Sequence, residues 1–219
     1  MDVFVNGVSL YYEVVGSGTP LIMVHGNGDD HTIFNEAVKV LKDRFTCYLI
    51  DSRGQGKSSK VDVFDYKIMA KDVLAFADSL KLEHPVYFGF SDGAVIGLLA
   101  AIEQPNRFKK IIISGANVDP KGVKLWMRLY LKASSLFDHD PLLKLMLEEP
   151  HISDDELSKI QSPTLILAGS KDLILESHTR RIANAIPHSS LRILKGENHD
   201  SYVVGSNKVA KWIIAFCKK

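Results

Sequence analysis

Residues 85–94, PVYFGFSDGA, decide the fold. An apolar run that is typical of a strand ends in GFSDG at 89–93, and a stretch of helical period follows. A G-x-S-x-G pattern between a strand and a helix predicts a sharp turn that presents its serine at the C-terminal edge of a sheet. Small residues are needed on both sides of that serine because strand and helix approach closely there. Gly89 and Gly93 meet this need, and Ser91 is the candidate nucleophile.

Apolar runs on both sides of this turn predict the rest of the sheet. Runs that are nearly continuous in apolar residues are typical of strands buried on both faces by helices. The predicted strands are an opening hairpin, Asp2 to Val5 and Val8 to Val15, followed by Leu21 to Val24, Cys47 to Ile50, Val86 to Phe88, Ile111 to Ile113, Thr164 to Leu167 and Leu191 to Leu194. Predicted helices lie at Ile33 to Leu41, Ile68 to Leu80, Ala94 to Ile102, Glu176 to Ala185 and Ser206 to Phe216. This alternation predicts an α/β fold with a doubly wound, mostly parallel eight-stranded sheet.

The alternation breaks between residues 117 and 161. This segment carries two amphipathic stretches, Val123 to Phe137 and Pro141 to Leu147. We therefore expect a single domain over residues 1–219, with a small helical lid inserted at 117–161.

Composition and charge narrow the classes of partner. Apolar residues make up 46% of the chain, and 27 lysines and arginines oppose 26 acids, so no field of one sign indicates a nucleic-acid or membrane partner. The N-terminus lacks the pattern of a signal peptide, and no apolar run approaches the roughly 18 residues of a membrane span. The two cysteines, Cys47 and Cys217, make neither a metal cluster nor a disulfide framework. We expect a cytosolic protein that acts on a small-molecule substrate.

Three further loops follow predicted strands and carry polar side chains to the same edge of the sheet. HGNG at 25–28 is one of them, and the N–H groups of Asn27 and Asp92 are the candidate oxyanion hole. The other two loops supply Asp172 and His199. Serine is a poor nucleophile by itself, so an imidazole must take its proton and a carboxylate must orient the imidazole. The chain order Ser91, Asp172, His199 predicts a catalytic triad.

Other acids and histidines supply the alternatives. Asp119, in the loop after the strand that ends near Ser114, is the alternative orienting acid. His25 is interpreted as a residue that structures its loop. The remaining histidines do not follow strands and are expected on the surface or in the lid: His31, His84, His139, His151, His178 and His188.

The sequence does not match either of two common nucleotide-binding patterns. GKS at 56–58 matches the end of a Walker A sequence, but the first glycine of that pattern would stand at Asp51. No G-x-G-x-x-G follows the first apolar strand, because His31 stands where the third glycine belongs.

From end to end the chain resembles the α/β-hydrolase superfamily, in particular the lid-bearing branch of esterases, C–C hydrolases and proline-iminopeptidase-like enzymes. DSRGQGKS at 51–58 looks like the D-x-R-G-x-G-x-S loop of that family, in which Arg53 is expected to pair with a neighbouring acid. The resemblance implies hydrolysis of a small carboxylic ester or amide through an acyl-Ser91 intermediate, with no metal or organic cofactor. C–C bond cleavage, perhydrolysis, and a ligand-binding or signalling module with little turnover remain alternatives.

The insertion is shorter than the lids usual in that branch. This implies a shallow, open pocket, or one that a partner subunit completes in a homodimer. Predicted lining residues are Phe90, Asp92, Trp126, Met127 and Tyr130, together with Leu131, Phe137 and Met146. Simple core packing is the alternative for the lid residues. Asp92 is either a binding group for a cation, such as the α-ammonium of an aminoacyl ester, or a favourable charge at a helix N-terminus.

Overall fold

The structure, a computed structural model, describes residues 1–218 and contains one eight-stranded sheet. Its strands are β1 (Asp2–Val5), β2 (Val8–Val15), β3 (Thr19–Val24), β4 (Phe45–Ile50), β5 (Val86–Phe90), β6 (Lys110–Ser114), β7 (Thr164–Gly169) and β8 (Ser189–Leu194). They lie in the order β1-β2-β4-β3-β5-β6-β7-β8. β2 is antiparallel to both of its neighbours, β1 and β4, and the other five pairs are parallel, which confirms the mostly parallel sheet.

The register brings several strand ends to one edge of the sheet. Val24 at the end of β3 pairs with Gly89 of β5, and Phe90 at the end of β5 pairs with Ser114 of β6. β7 and β8 end together, with Gly169 opposite Leu194. The loops that follow β3, β5, β7 and β8 therefore open on the same side of the molecule.

Helices connect the strands and cover both faces of the sheet. They are α1 (Asn35–Leu41), α2 (Tyr66–Ser79), α3 (Asp92–Glu103), α4 (Leu125–Ser134), α5 (Pro141–Glu148), α6 (Asp154–Leu157), α7 (Glu176–Ala185) and α8 (Ala210–Cys217), with 3-10 turns at His31–Phe34 and Pro120–Gly122. Alternate residues of β3 point to opposite faces: Ile22 packs with α2 and α3, whereas Met23 packs with α1 and α8. Two apolar cores result, one on each side of the sheet, as expected for parallel strands.

The last helix begins later than its periodicity predicts. Its helical pattern starts at Ser206, but hydrogen bonds from Val203 and Val204 to the carbonyl of Asp200 close a turn, and α8 starts only at Ala210. Among residues 1–218, every helix is too short or too polar to cross a bilayer.

The segment 117–161 divides into two parts. No residue of α4 is buried, whereas α5 buries Leu143 and Leu145. Leu145 belongs to the core that contains α2 and α3, as do Ile152, Leu157 and Ile160 from the C-terminal part of the segment. We call α4 and α5 the lid.

Candidate active site

The turn between β5 and α3 holds Ser91 at a positive φ of 52°, with ψ −113°. Such a backbone is costly for a residue with a Cβ. The turn is fixed by a hydrogen bond of 2.8 Å from the Ser91 N–H to the carbonyl oxygen of Ser114. A Cβ on Gly89 would overlap the carbonyl of Gly93, and a Cβ on Gly93 would overlap the carbonyl of Val24. Glycine is therefore required at both flanks.

Ser91, His199 and Asp172 form a hydrogen-bonded chain. The Nε2 atom of His199 lies 3.0 Å from the Oγ atom of Ser91, and its Nδ1 atom lies 2.7 Å from Oδ1 of Asp172. A carboxylate only accepts hydrogen bonds, so the Nδ1 atom carries the proton and Nε2 faces the serine hydroxyl as an acceptor. The structure thus brings together the three side chains that the sequence singled out, and the arrangement is the one that general-base activation of a serine needs.

The Asp172 carboxylate is buried and well supplied with donors. Besides His199, it accepts hydrogen bonds from the backbone N–H groups of Ile174, at 3.0 Å, and Gly169, at 3.3 Å. Burial by itself would raise the pKa of this carboxyl, but the hydrogen bonds, first of all that from His199, lower it. The alternative acid, Asp119, lies elsewhere, 3.6 Å from the exposed His151.

The loop that carries His199 is anchored behind the site. The hydroxyl of Ser114 donates a 2.6 Å hydrogen bond to the buried hydroxyl of Tyr202. The imidazole of His199 also packs beside Phe90, with ring centroids 5.1 Å apart. Because Ser114 contacts both the Ser91 backbone and the histidine loop, the end of β6 fixes the two loops relative to each other.

Two backbone N–H groups beside Ser91 are free. Among residues 1–218, the N–H groups of Asn27 and Asp92 have no hydrogen-bond acceptor, and both residues line the cavity at Ser91. His25 holds the first of these loops in place, since its Nδ1–H donates to Gly26 and its Nε2 accepts from the N–H of Ser52. Unpaired donors at a helix N-terminus and in the neighbouring loop are able to bind an oxyanion.

A cavity of about 350 Å³ opens at Ser91 and is mostly apolar. Of the predicted lining residues, Phe90, Asp92, Met127, Leu131 and Met146 line it. Trp126, Tyr130 and Phe137 lie outside that lining and are exposed by 61%, 63% and 89%, which corrects the prediction. Helical spacing explains the correction: residues 127 and 131 lie on one side of α4, and 126 and 130 lie on another.

Asp92 is buried at the N-terminus of α3 and also borders the cavity. The side-chain amide of Asn27 donates to its Oδ2 atom at 2.9 Å and to the carbonyl of Leu142 in α5 at 3.3 Å. Burial raises the pKa of the Asp92 carboxyl to about 6, although Asn27 and the hydroxyl of Tyr66 act in the opposite direction.

Sequence reasoning missed three other carboxylates of the cavity, Asp29, Glu149 and Asp200. Asp29 stands in the same loop as Asn27 and Asp200 directly follows His199, so proximity along the chain was an available signal for both. Glu149 comes from the end of α5 and accepts a hydrogen bond from the N–H of Tyr66, a contact that no local pattern indicates. Within the described residues 1–218, no lysine or arginine lines the cavity.

Two histidines that were expected on the surface or in the lid are buried. His31 is held between Asp51, 2.7 Å from Nδ1, and Glu13, 3.1 Å from Nε2. The Nε2 atom of His178 accepts from the N–H of Val118. The donor atoms of Asp30, His31 and Asp51 lie within 4.8 Å of one another, as metal ligands do, but His31 and Asp51 are already bonded to each other.

Arg53 forms a buried, bidentate ion pair with Asp72 of α2. Its Nε and Nη2 atoms lie 2.5 and 2.6 Å from the two carboxylate oxygens. The loop at 51–58 is thereby tied to a neighbouring helix, away from the cavity at Ser91.

Known proteins share this fold. The model of a family described as alpha/beta hydrolase fold matches residues 19–141, more than half of the chain. Serine hydrolase BPHL from Mus musculus is 28% identical over 92% of this chain and 80% of its own length. A meta-cleavage product hydrolase from Pseudomonas fluorescens superposes with a TM-score of 0.83 at 17% identity, over 100% of this chain and 97% of its own. An enol-lactonase from Burkholderia xenovorans gives a TM-score of 0.83 at 18% identity and covers 100% of both chains. At 17% and 18% identity, the last two similarities show a shared fold and nothing more.

Proposed function

The chain belongs to the alpha/beta hydrolase fold family, and from this premise we propose that it is a serine hydrolase that cleaves a small carboxylic ester or amide. The observation that carries the proposal is the hydrogen-bonded chain of Ser91, His199 and Asp172, beside two backbone N–H groups that have no acceptor among residues 1–218. Hydrolases among the family's relatives support hydrolytic activity in general.

In the proposed reaction, the Oγ atom of Ser91 attacks the carbonyl carbon while Nε2 of His199 takes the hydroxyl proton. Asp172 stabilises the imidazolium through Nδ1, and the N–H groups of Asn27 and Asp92 bind the oxyanion. The imidazolium then gives its proton to the leaving alcohol or amine, which leaves an acyl-Ser91 ester. A water molecule, deprotonated by His199, attacks this ester; the bond between the acyl carbon and Oγ then breaks, the imidazolium returns its proton to Oγ, and the acid is released.

The charge of the cavity supports a preference among esters. Its four carboxylates, Asp29, Asp92, Glu149 and Asp200, are accompanied by no lysine or arginine, and most other lining residues are apolar. A carboxylate on the substrate would be repelled in this cavity, whereas a neutral or cationic group would be accepted. Uncharged and cationic esters are therefore the proposed substrates, and a panel of cationic, neutral and anionic esters of equal length tests this preference.

Substitution of the nucleophile tests the reaction class. We expect a fluorophosphonate probe to label the protein at Ser91, and Ser91→Ala to abolish labelling and to reduce hydrolysis of p-nitrophenyl acetate by about 10⁴-fold or more. Ser177→Ala, at an exposed position of α7, is the matched control and should retain both properties. A folded protein that shows neither labelling nor turnover would instead be a ligand-binding module.

A further inference from the structure

The outer side of α4 and of the turn after it is an exposed apolar surface. Thirteen large hydrophobic side chains are exposed among residues 1–218, and six of them fall within residues 125–137. We call these six the lid patch: Leu125, Trp126, Leu129, Tyr130, Leu136 and Phe137. An apolar surface of this kind, concentrated in one short segment, is typical of an interaction site.

One helix separates the lid patch from the cavity. Trp126 and Tyr130 are four residues apart and therefore share one side of α4. Met127 and Leu131 have the same spacing but line the cavity at Ser91. The lid patch consequently faces away from the site that the same helix covers.

The lid patch is bordered by cations. Residues 120–137 contain Lys121, Lys124, Arg128 and Lys132, and the nearest acids along the chain are Asp119, Asp138 and Asp140, just outside this range. Arg128 is four residues from Lys124 and from Lys132, so these three side chains form a row along the helix. An apolar, aromatic surface beside a basic row is the pattern of helices that lie on membranes.

We propose that the lid patch binds the surface of a membrane that contains anionic lipids. Leucine and aromatic side chains enter the boundary between head groups and acyl chains, while the basic row pairs with lipid phosphates and carboxylates. At ten residues, α4 is about 15 Å long, roughly half the thickness of a hydrocarbon core, so it lies in the plane of the membrane.

A second copy of the chain fits the lid patch less well. In a two-fold dimer the same surface of each subunit faces the other. The interface would then contain both rows formed by Lys124, Arg128 and Lys132, whereas an anionic membrane neutralises the row. The charge of the surface favours the membrane.

Vesicle binding tests the proposal independently of turnover. The full-length Ser91→Ala protein, which cannot hydrolyse lipid through Ser91, is sedimented with vesicles of phosphatidylcholine alone or of phosphatidylcholine mixed with phosphatidylserine. We expect binding to the mixed vesicles only, and a bound fraction that falls as the salt concentration rises.

Two double variants separate the apolar from the charged contribution. In the Ser91→Ala background, Trp126→Ser with Phe137→Ser, and Arg128→Glu with Lys132→Glu, should each lower the partition coefficient at least about tenfold. Phe4→Ser, at an exposed apolar position on β1, and Lys60→Glu, at an exposed lysine, are matched controls that should bind like the parent. Circular dichroism verifies that all variants are folded.

The proposal fails if the mixed vesicles are not bound, or if both double variants bind them as well as the parent does. If the vesicles are not bound, sedimentation velocity can show a dimer that Trp126→Ser with Phe137→Ser abolishes. That outcome would assign the lid patch to a second copy of the chain. None of these results tests the proposed hydrolysis, which Ser91 labelling decides separately.

Discussion

At the scale of single residues, the two candidate acids are separable by substitution. Asp172→Asn preserves the size of the side chain but removes the carboxylate that holds the proton on Nδ1 of His199. We expect kcat to fall by about 10⁴-fold, because the imidazole is no longer fixed as an acceptor toward Ser91. Asp119→Asn removes the carboxylate beside the exposed His151, keeps an oxygen that can accept from the N–H of Lys121, and should leave kcat within about threefold of the parent. Comparable losses in both variants would contradict the assignment of Asp172.

Asp92 gives a second prediction at this scale, because its charge depends on pH in the working range. Burial raises the pKa of its carboxyl to about 6, so the group is mainly neutral below that pH and mainly charged above it. If it binds a cation, the ratio of kcat/KM for an aminoacyl ester over a neutral ester of equal size should rise as the pH passes through about 6.

Asp92→Asn should remove both that rise and most of the preference. The expected change in the ratio is about tenfold or more, since hydrogen bonds to charged groups contribute about 1.5–3 kcal/mol. The aminoacyl ester is kept well below the pKa of its own ammonium group during the titration. An equal preference in the two proteins would leave Asp92 only its role at the N-terminus of α3.

At the scale of elements, the strands were predictable because burial on both faces leaves a nearly continuous apolar run. The predicted hairpin agrees with β1 and β2 at every boundary, and later strands differ by up to two residues at an end.

The faces of α4 were not predictable in the same way. Its periodicity shows that residues 126 and 130 share a side, but which side covers the cavity depends on how α4 and α5 lie over the sheet.

The elbow between β5 and α3 yields a stability prediction. Gly93→Ala would place a Cβ against the carbonyl of Val24, a backbone atom of β3 that cannot move without disturbing the sheet. We expect the free energy of unfolding to fall by about 3 kcal/mol or more, the upper part of the range for overpacked sites. Urea denaturation measures this loss.

Gly205→Ala is the matched control for the elbow. Gly205 has a positive φ of 57°, but a Cβ there would meet open space. Its substitution should cost only the left-handed backbone penalty of about 1–2 kcal/mol. If the two alanine variants were equally stable, close approach of strand and helix would not be the reason for glycine at position 93.

At the scale of the whole molecule, the parts that escaped prediction are those that depend on contacts between distant segments. His31 was expected near the surface, yet it is buried because Glu13 of β2 and Asp51 after β4 converge on its two ring nitrogens. Glu149 reaches the cavity because the end of α5 meets the N-terminus of α2 at Tyr66. The succession of strands along the chain and the side chains that follow each strand were accessible from the sequence, whereas such convergence follows only from the packed fold.

The stability of the whole fold should also depend on the buried carboxyl of Asp92. Its pKa is raised from an ordinary value of 3.8 to about 6, so the folded protein binds this proton more tightly than the unfolded chain does. The contribution of Asp92 to stability is therefore lost as the pH rises from about 4 to about 6, and a shift of about two units corresponds to about 3 kcal/mol. Asp92→Asn keeps the shape and cannot titrate. The quantity to compare is the free energy of unfolding of Asp92→Asn minus that of the parent, measured with urea. We expect this difference to be larger at about pH 8 than at about pH 4, by up to about 3 kcal/mol. The same difference at both pH values would show that no carboxyl with a raised pKa is buried at position 92.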